Sequence, residues 1–535
     1  MDMINVSSKY NNIITKSLLI SSGSPAIYQL RPKEEKFGTL TRKTVGEKNP
    51  NKTNKTVLLV GETGAGKSTL INALLNYAMG VKFDDNIWFK IVEDEKRSHS
   101  ESQTSDVIVY EIFGFEDKTL PFSLTIIDTP GYGDTRGIEH DVVVSQRLFE
   151  LFRLKDLVHE INVVGLVLKS TENRVSDRLR YVFDSVTSLF GKDIEKNIVA
   201  LITHSDGLTP DGALKALQAA DIKCAKNEKN QPVHFLFNNH QTTQRTEETE
   251  FALENAWRVT ERGMKRFTDF LDKSTPQMLI TTLEVMKARI RLTACIQNLQ
   301  ERIQLIELKQ NEIKQTQETL KKHEQEMKGN KDFTVEVYEV KKVKEKIKAW
   351  WDTKAVTCNK CEENCHHPGC TWAWSPFKCE VMDKEYKCTS CTGKCPASDH
   401  VKENWKYVSN KEKVQKTLQD VKQKYEENKS ESEKKKSLLE DLQTEMDALE
   451  SEKTKWLEEI CRHVDHLERI ALNVNSLSTY VHLDFVIEKM EEKKDRGMVQ
   501  KLKQMADRVD ENTRAVMQYM YAKVMGGKAD KDAVM

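Results

Sequence analysis

The sequence has no excess of charge of either sign. Its 535 residues include 83 lysines and arginines and 83 aspartates and glutamates, so the formal net charge is zero. Proteins that bind nucleic acid through electrostatic attraction carry a basic excess or a basic domain. The composition gives no such signal, and nucleic acid is therefore disfavoured as a partner.

The sequence also lacks a long apolar run. A transmembrane helix needs about 20 consecutive, mostly apolar residues. The N-terminus offers only the short run Leu18-Leu19-Ile20, and no later stretch approaches that length. We therefore predict no signal peptide, no transmembrane segment and a cytoplasmic location. In the reducing cytosol, cysteine thiols stay available as metal ligands.

A chain of this length is too long for a single compact core, so two or more structural units are expected. Charged residues make up 31% of the sequence, and the mean hydropathy is −0.61. In the C-terminal half this polarity accompanies helical patterns, which indicates long, exposed helices.

The N-terminal half predicts an α/β domain. After a polar N-terminal extension, assigned to residues 1–50, short apolar runs alternate with helical stretches, as in a mostly parallel sheet with flanking helices. We assign this domain to residues 51–275. The predicted strands contain Val57–Val60, Leu124–Ile127, Val163–Leu168 and Ile198–Ile202.

Heptad repeats begin after about residue 276. The first run consists of Leu292, Leu299, Ile306, Ile313 and Leu320, with Ile296 and Ile303 at the complementary position. A second run, with spacings of three and four, includes Val414, Leu418, Val421, Tyr425, Leu439, Leu442, Met446, Leu449, Trp456, Ile460 and Leu467. Such patterns predict coiled-coil helices.

The two heptad runs flank a cysteine-rich segment, and together they suggest a helical hairpin with a small zinc-binding β-ribbon at its tip. The predicted segments are arm one at 276–331, the tip at 332–410, arm two at 411–470 and a helical C-terminal segment at 471–535. The repeats do not decide between parallel and antiparallel packing, and the arms could instead mediate dimerisation.

A phosphate-binding loop follows the first predicted strand. Gly61-Glu62-Thr63-Gly64-Ala65-Gly66-Lys67-Ser68-Thr69 has the Gly-x-x-x-x-Gly-Lys-Ser pattern and precedes a helical run. In a P-loop the backbone N–H groups surround phosphates, the lysine reaches the β- and γ-phosphates and the serine hydroxyl binds Mg²⁺. Lys67 and Ser68 are therefore predicted to act in catalysis.

A second phosphate-side motif is Asp128-Thr129-Pro130-Gly131, which follows the strand Leu124–Ile127. Its carboxylate is suited to the Mg²⁺ shell, and the N–H of Gly131 is suited to the γ-phosphate. Between the two motifs, Thr104 is the candidate switch threonine and, with Ser68 and Asp128, a predicted Mg²⁺ ligand. Thr104 and Gly131 are also predicted to act in catalysis. The alternative is that Thr104 is an ordinary loop residue.

The base-binding side decides between guanine and adenine. Thr203-His204-Ser205-Asp206 follows a predicted strand, and a carboxylate there can accept hydrogen bonds from both N1–H and the 2-amino group of guanine, which adenine does not offer. Asn238 and Asn239, at a later strand end, are suited to support the base. The sequence therefore favours GTP and GDP as ligands.

These motifs resemble those of the GIMAP-type immune-associated GTPases, within the septin-like, translation-factor class of P-loop GTPases. The resemblance covers about residues 55–270 and is carried by GETGAGKSTLIN, DTPGYGD, the stretch from Arg174 to Leu189 with Phe190-Gly191, THSDGL and FNN. It implies that Asp206 and either Asn238 or Asn239 contact guanine, and that Ser68 and Thr104 serve Mg²⁺. It also implies that two heads pair across their nucleotide faces.

The sequence departs from related enzymes at two positions. His204 occupies the position where many GTPases have lysine, and Tyr132 occupies the position where Ras-like enzymes place the glutamine that orients water. Because a tyrosine ring cannot orient water as an amide does, we expect slow intrinsic hydrolysis, accelerated by a second head or another protein. Arg136 and His140 are candidate residues supplied in trans, although both are compatible with an ordinary surface role.

The cysteine-rich segment contains eight of the 11 cysteines. Its Cys-x2-Cys pairs predict structural zinc, with two tetrahedral ions, and nothing in the segment indicates a catalytic metal. Spacing does not show which ligands share an ion. Trp372, Trp374 and Phe377 fit either a docking surface or a small core. The candidate ligands are Cys358, Cys361, Cys365, His366, Cys370, Cys379, Cys388, Cys391, Cys395 and His400.

Three functions fit these motifs. The leading hypothesis is a slow, dimerisation-dependent GTPase that acts as a nucleotide-controlled scaffold or switch, with a protein partner at the zinc tip and homodimerisation through heads or coiled coil. The second is an ATP-dependent clamp like the zinc-hook DNA-repair ATPases, although the sequence lacks their distant Walker B and signature motifs. The third is a GTP-binding interaction module with negligible turnover.

Overall fold

The computed structural model describes residues 3–38, 40–93, 107–116, 118–130, 138–154, 157–173, 177–322, 334–347, 354–367, 375–417, 438–473, 477–492 and 496–506. In chain order, its first half begins with a helix and four strands and continues as alternating strands and helices. The helices of this half are α1 (Met3–Ile14), α2 (Lys67–Met79), α3 (Ile138–Arg153), α4 (Asp177–Thr187), α5 (Asp211–Ala219) and α6 (Glu250–Lys273).

The strands of the first half form one large sheet and two small ones. They are β1 (Leu18–Ser21), β2 (Ala26–Gln29), β3 (Lys33–Phe37), β4 (Leu40–Val45), β5 (Asn54–Val60), β6 (Ile87–Lys90), β7 (Ile108–Ile112), β8 (Ser123–Asp128), β9 (Glu160–Ile161), β10 (Val163–Lys169), β11 (Ile198–Thr203), β12 (His234–Leu236) and β13 (Gln277–Met278). The eight-stranded sheet has the order β12-β11-β10-β5-β8-β7-β4-β3.

The five strands β12, β11, β10, β5 and β8 run parallel, and β7 is antiparallel to β8. The predicted α/β architecture with a mostly parallel sheet is therefore confirmed. Helices cover both faces because the central strands are apolar on both sides. One face packs against α2 and α6, and the other against α3, α4 and α5.

The N-terminal extension differs from a simple tail. Strands β3 and β4 lengthen the main sheet at the edge beside β7, and β1 and β2 form a three-stranded sheet with β6. The Lys33–Phe37 strand is polar and exposed along much of its length, so it carries little apolar signal. Residues 18–45 are therefore part of the α/β domain, which we call the head together with residues 54–278.

The second half contains helix α7 (Ile280–Lys322), five strands and the helices α8 (Leu438–Ile470), α9 (Leu477–Glu492) and α10 (Arg496–Ala506). The strands are β14 (Thr334–Lys346), β15 (Ala355–Cys358), β16 (Glu363–His366), β17 (His400–Glu403) and β18 (Trp405–Thr417). Val414, expected in the second coiled-coil arm, lies in β18 instead, because the antiparallel ribbon of β14 and β18 extends to the pair Thr334 and Thr417. Leu418, Val421, Tyr425 and the expected segment 507–535 lie outside the described residues.

Helices α7 and α8 pack against each other in antiparallel orientation. Cys295 lies near Glu459 and His463, whereas Gln310 donates a hydrogen bond to Glu450, so one helix ascends as the other descends. The heptad residues of α7 from Leu292 to Ile313 are buried, as are Trp456, Ile460 and Leu467 of α8. The partner of the heptad seam is therefore a helix of the same chain.

The helical pair also packs on the head. Leu292 and Ile296 belong to the same apolar cluster as Phe183 and Phe190 of the head. The guanidinium of Arg289 donates to the carbonyl of Ser188 at 2.7 Å. Arm one is thus anchored along its first half and does not project freely from its start.

Candidate functional site: a nucleotide cleft and a cysteine-rich unit

The phosphate-binding loop occupies the turn between β5 and α2. Gly66 has a φ of 95° and stands directly before the first helical residue, Lys67. A residue with a Cβ is strained in this left-handed conformation. Gly64 also has a positive φ, 78°, and open space lies where its Cβ would be. The backbone therefore forms an open cradle at a helix N-terminus, where anions bind favourably.

Lys67 lies beneath this loop and is 7% exposed. Its Nζ donates to the carbonyl oxygens of Gly61 at 2.8 Å and Glu62 at 3.2 Å. Burial lowers the pKa of Lys67 to about 8, against the attraction of Asp128 and Glu62. The ammonium is thus held in a desolvated position, where its attraction to a phosphate is strong.

Asp128 ends strand β8 and is fully buried beside the loop. The next residue, Thr129, donates its hydroxyl to the carbonyl of Leu59 at 2.9 Å and so fixes the strand end to β5. Ser68 is partly exposed at the start of α2. Thr104, Gly131, Tyr132 and Arg136 lie outside the described residues, as does the side chain of His140.

The base side of the cleft begins at the end of β11. Thr203 is buried, and its hydroxyl donates to the carbonyl of Ala65 at 2.7 Å. This hydrogen bond joins the phosphate-binding loop to the segment that carries Asp206. The carboxyl ends of parallel strands meet at one edge of a sheet, where open α/β folds bind ligands.

His204 and Asp206 are both exposed on this edge. His204 has a φ of 52°, and its carbonyl accepts a hydrogen bond from Ser170 at 2.7 Å. Partial burial lowers the pKa of His204, with smaller contributions from Lys169 and His240. One carboxylate oxygen of Asp206 accepts the N–H of Leu208 at 2.9 Å, which orients the carboxylate.

Asn239 is the more firmly held of the two asparagines after β12. Its Oδ1 accepts hydrogen bonds from Thr260 at 3.2 Å and Gln241 at 3.3 Å. Its Nδ2 is buried and has no hydrogen-bond partner within the described part of the chain. The backbone N–H of Asn238 donates to the Thr260 hydroxyl at 2.9 Å.

Sequence reasoning missed Thr260 and Gln241. Thr260 lies on α6, more than twenty residues after Asn238, and an ordinary helical threonine gives no local signal. The residues present nevertheless fit a nucleotide with Mg²⁺. The loop is an open cradle, and Asp128 and Ser68 offer oxygen ligands of the kind that Mg²⁺ prefers. The buried NH₂ group of Asn239 is available to donate a hydrogen bond to the base.

The structure brings the predicted zinc ligands into groups of neighbouring side chains, two of which share Cys391. Cys358, Cys361, Cys391 and Cys395 form one group, and Cys365, Cys388, Cys391 and His400 form another, with all ligand atoms of a group within 4.8 Å of one another. His366, Cys379 and Glu380 form a third group. Cys370, Trp372 and Trp374 lie outside the described residues. Phe377 is 47% exposed and lies edge-on to Tyr386.

Backbone N–H groups point at the sulfur atoms. Cys388 Sγ accepts from the N–H of Ser390 and of Cys391, both at 3.3 Å. Cys358 Sγ accepts from Cys361 at 3.3 Å, and Cys361 Sγ from Gly393 at 3.3 Å. Such bonds stabilise thiolates and orient them around a metal. The donor set, sulfur with imidazole nitrogen, is the one that Zn²⁺ prefers.

The cysteine-rich unit, residues 354–403, lies beside the helices rather than at their far end. Arg302 of α7 forms a two-pronged ion pair with Glu363, at 3.1 and 2.7 Å. Lys394 pairs with Glu459 of α8 at 2.7 Å. The expected position at the tip was therefore wrong, because the β14–β18 ribbon leads the chain back along α7.

The unit also touches the head. Arg153, the last residue of α3, forms an ion pair with Glu380, while Arg291 of α7 donates to the carbonyl of Glu380 at 2.8 Å. Sequence reasoning gave Glu380 no role, since a lone glutamate beside a cysteine is not a signal. This contact places the cysteine-rich unit within reach of the helix that follows Asp128.

Comparison with known proteins identifies the head. Residues 55–254 match the model of the AIG1 family. This region is an AIG1-type P-loop GTPase domain. It agrees with the expected GIMAP-type resemblance. The phosphate-binding loop, β8, the Asp206 segment and all of β5 except Asn54 lie within the matched residues.

Two curated septins are similar to part of this chain. Neuronal-specific septin-3 of Danio rerio is 30% identical over 186 residues, which are 31% of this chain and 48% of that protein. Septin-5 of Homo sapiens is 29% identical over 168 residues, 29% of this chain and 41% of that protein. The matches thus span less than half the length of either septin.

Among solved structures, Toc33 from Arabidopsis thaliana in complex with Mg²⁺ and GMPPNP is similar at 20% sequence identity and a TM-score of 0.29. The match covers 42% of this chain and 88% of Toc33.

Within the described helices, none combines the length and apolar content that crossing a membrane requires.

Proposed function

We propose that the protein binds GTP and GDP with Mg²⁺ through its AIG1-type domain and hydrolyses GTP slowly. The observation that carries this proposal is the hydrogen bond from Thr203 to Ala65, which joins the base-side segment to the phosphate-binding loop. Because the two segments are held together, a single ligand with a base at one end and phosphates at the other fits the cleft.

On the phosphate side, Gly61, Glu62, Thr63, Gly64, Ala65, Gly66 and Thr69 would supply backbone donors. Lys67 would hold the β- and γ-phosphates. Ser68 and Asp128 would serve Mg²⁺ together with Thr104, and Gly131 would donate to the γ-phosphate. On the base side, Asp206 would accept from guanine N1–H and the 2-amino group.

Asn239 is the stronger candidate for the supporting amide. Its side-chain oxygen is already used by Thr260 and Gln241, which fixes the amide plane and leaves the NH₂ group to donate. A buried donor without a partner is costly, and an acceptor on the base would remove that cost. Asn238 contributes its backbone to the same hydrogen-bond network.

We also propose that hydrolysis depends on pairing of two heads or on another protein. Tyr132, in place of a glutamine, gives the active site no amide to orient water. A residue supplied in trans would then provide the acceleration. Without such a partner the protein would act as a GTP-binding module with negligible turnover.

The cysteine-rich unit is proposed to hold structural zinc. Its position suggests how GTP binding in the head could change the contacts of the unit. Helix α3 begins ten residues after Asp128 and ends at Arg153, which pairs with Glu380. A change in the position of α3 on GTP binding would alter this contact. The nucleotide-controlled scaffold would therefore present its cysteine-rich unit from beside the head.

Nucleotide competition tests the binding proposal. A fluorescent GTP analogue bound to the full chain should be displaced by GTP and GDP at far lower concentrations than by ATP. Asp206→Ala should reduce this preference, whereas Asp211→Ala, a nearby change at the start of α5, should leave it intact. Equal displacement by ATP would favour the zinc-hook-like clamp.

Single-turnover hydrolysis, measured across protein concentrations, tests the pairing proposal. An enzyme activated by pairing shows a specific rate that rises with concentration, and light scattering in GTP should then show a larger particle than in GDP. A flat and negligible rate with an unchanged particle size would favour the passive GTP-binding module.

A further inference from the structure

The two complete ligand groups in the cysteine-rich unit share one residue. Cys391 belongs both to the group with Cys358, Cys361 and Cys395 and to the group with Cys365, Cys388 and His400. Two groups of four therefore contain seven donors instead of eight. Two separate tetrahedral ions would leave one of them with only three protein ligands.

The sulfur of Cys391 lies close enough to both groups. Zn–S bonds of about 2.3 Å place two thiolates of a tetrahedral site about 3.8 Å apart. Cys361 and Cys395 show this spacing, with sulfur atoms 3.6 Å apart. Every ligand atom of each group, including that of Cys391, lies within 4.8 Å of the others.

The second group is prepared for a metal by His400. Its Nδ1 lies 2.8 Å from the carbonyl oxygen of Pro396, so Nδ1 carries the proton and donates. Nε2 is then the ring nitrogen left to bind a metal, and this atom is buried without a hydrogen-bond partner in the described structure. A histidine held in this way is the usual arrangement of a metal ligand.

Burial argues against an open coordination position in either group. The six cysteines and His400 are all largely buried except Cys361. A fourth ligand from water would have to be enclosed among sulfur atoms, which are weak hydrogen-bond acceptors. A sulfur shared by both ions completes two tetrahedral sites with the residues that are present.

We propose that the Cys391 thiolate bridges two zinc ions, so that the cysteine-rich unit holds a binuclear centre. One ion is bound by Cys358, Cys361, Cys395 and Cys391, and the other by Cys365, Cys388, His400 and Cys391. The inference rests on the proposed binding of zinc. The His366, Cys379 and Glu380 group lies outside this centre.

Cobalt substitution tests the bridge. In the full chain, Zn²⁺ is exchanged for Co²⁺, and the cobalt content measured by mass spectrometry is compared with the spin count from electron paramagnetic resonance. Two Co²⁺ ions joined by a thiolate couple magnetically, so the low-temperature spin count should fall short of the cobalt content by two ions. A spin count equal to the cobalt content would overturn the proposal.

Two cysteine variants test whether Cys391 is the residue that couples the two Co²⁺ ions. Cys391→Ser should abolish the shortfall, whereas Cys461→Ser, a change on α8 outside the unit, should retain it. If Cys391→Ser does not fold, the spin count of the unchanged protein still decides. A protein that contains neither zinc nor cobalt would refute zinc binding itself, which is a different outcome from uncoupled cobalt.

Discussion

The head and the cysteine-rich unit are stabilised in different ways. Both faces of the head sheet are covered by large clusters of aliphatic and aromatic side chains. The core of the cysteine-rich unit has ten buried residues together with Ala294 of α7, and six of the ten are cysteines. The head can therefore fold by apolar burial without its ligand, whereas the unit has little apolar surface, and we expect its folding to depend on the proposed zinc.

Removing zinc should have the largest effect. Structural zinc contributes about 10–16 kcal/mol of apparent free energy in small zinc-dependent folds, so a strong chelator should unfold residues 354–403. Hydrogen exchange of this segment should rise to the unfolded rate. The affinity of the head for GTP serves as the control and should stay within about twofold. Equal loss of protection in the central strands of the head would contradict the comparison.

Breaking the buried ion pair of Arg302 and Glu363 should come next. Their side chains are 7% and 9% exposed, and removing one partner of a buried pair costs about 3–5 kcal/mol. Arg302→Met should lower the denaturant midpoint of the cysteine-rich unit in the zinc-loaded protein. Combining it with Glu363→Met should restore part of the loss. Arg462→Met, at an exposed position of α8, is the control.

The variants of the cysteine-rich unit should reduce its stability. Replacing Lys67, in contrast, should weaken nucleotide binding while the head stays folded. A hydrogen bond to a charged group contributes about 1.5–3 kcal/mol, so Lys67→Met should weaken GTP binding about ten- to hundredfold, as measured by calorimetry. The head should remain folded, since a desolvated charge is removed. Lys36→Met, an exposed change on β3, should bind normally. Unfolding of Lys67→Met would show that the ammonium is structural.

The sequence predicts the head better than the unit for a physical reason. Strands β5, β8, β10 and β11 are continuous apolar runs, and the phosphate-binding loop is contiguous, so each is visible locally. Strand β3 was not visible because its residues are mostly charged and it gains its place only by pairing with β4. The heptads of α7 predicted a helical partner but not its orientation.

The position of the cysteine-rich unit depends on contacts between distant residues. Arg302 and Glu363 are 61 positions apart, and Arg153 and Glu380 are 227 positions apart. Neither charge is unusual in its own segment, so no local pattern indicates the pairing. The contact between Thr260 and Asn239 was missed for the same reason, because these residues are also distant in the sequence. The clustering of cysteine and histidine residues was therefore visible in the sequence, whereas the grouping of their side chains and the docking of the unit were not.

The pH dependence of nucleotide binding by the head should reflect the lowered pKa of Lys67. In the proposed site the phosphates bind the charged form of Lys67, whose pKa in the folded protein is lowered to about 8 by burial. GTP affinity should therefore be nearly constant below about pH 7, fall about twofold by pH 8 and fall roughly tenfold by pH 9. Lys67→Arg, whose guanidinium stays charged, should lack this decrease. The same slope in both proteins would assign it to another group.

In the nucleotide-free protein, the effect of pH on the stability contributed by Lys67 is opposite to its effect on GTP affinity. Because the pKa of Lys67 is lower in the folded than in the unfolded chain, the unfolded chain binds more protons between about pH 8 and 10.5. The contribution of Lys67 to the free energy of unfolding should therefore rise with pH over this interval. Comparing the unfolding of the wild-type head with that of Lys67→Met across the interval isolates this contribution.

The smallest effect is expected where the two regions meet. Arg153 is 31% exposed and Glu380 is 6% exposed on their side chains, so Arg153→Ala should weaken the contact by about 1 kcal/mol. Hydrogen exchange of residues 375–403 should differ between GTP and GDP in the wild type, and this difference should shrink in the variant. Arg147→Ala, whose partner Glu150 lies within α3, should retain it. If exchange in the wild type does not respond to nucleotide, the head and the cysteine-rich unit act independently, and α3 carries no signal between them.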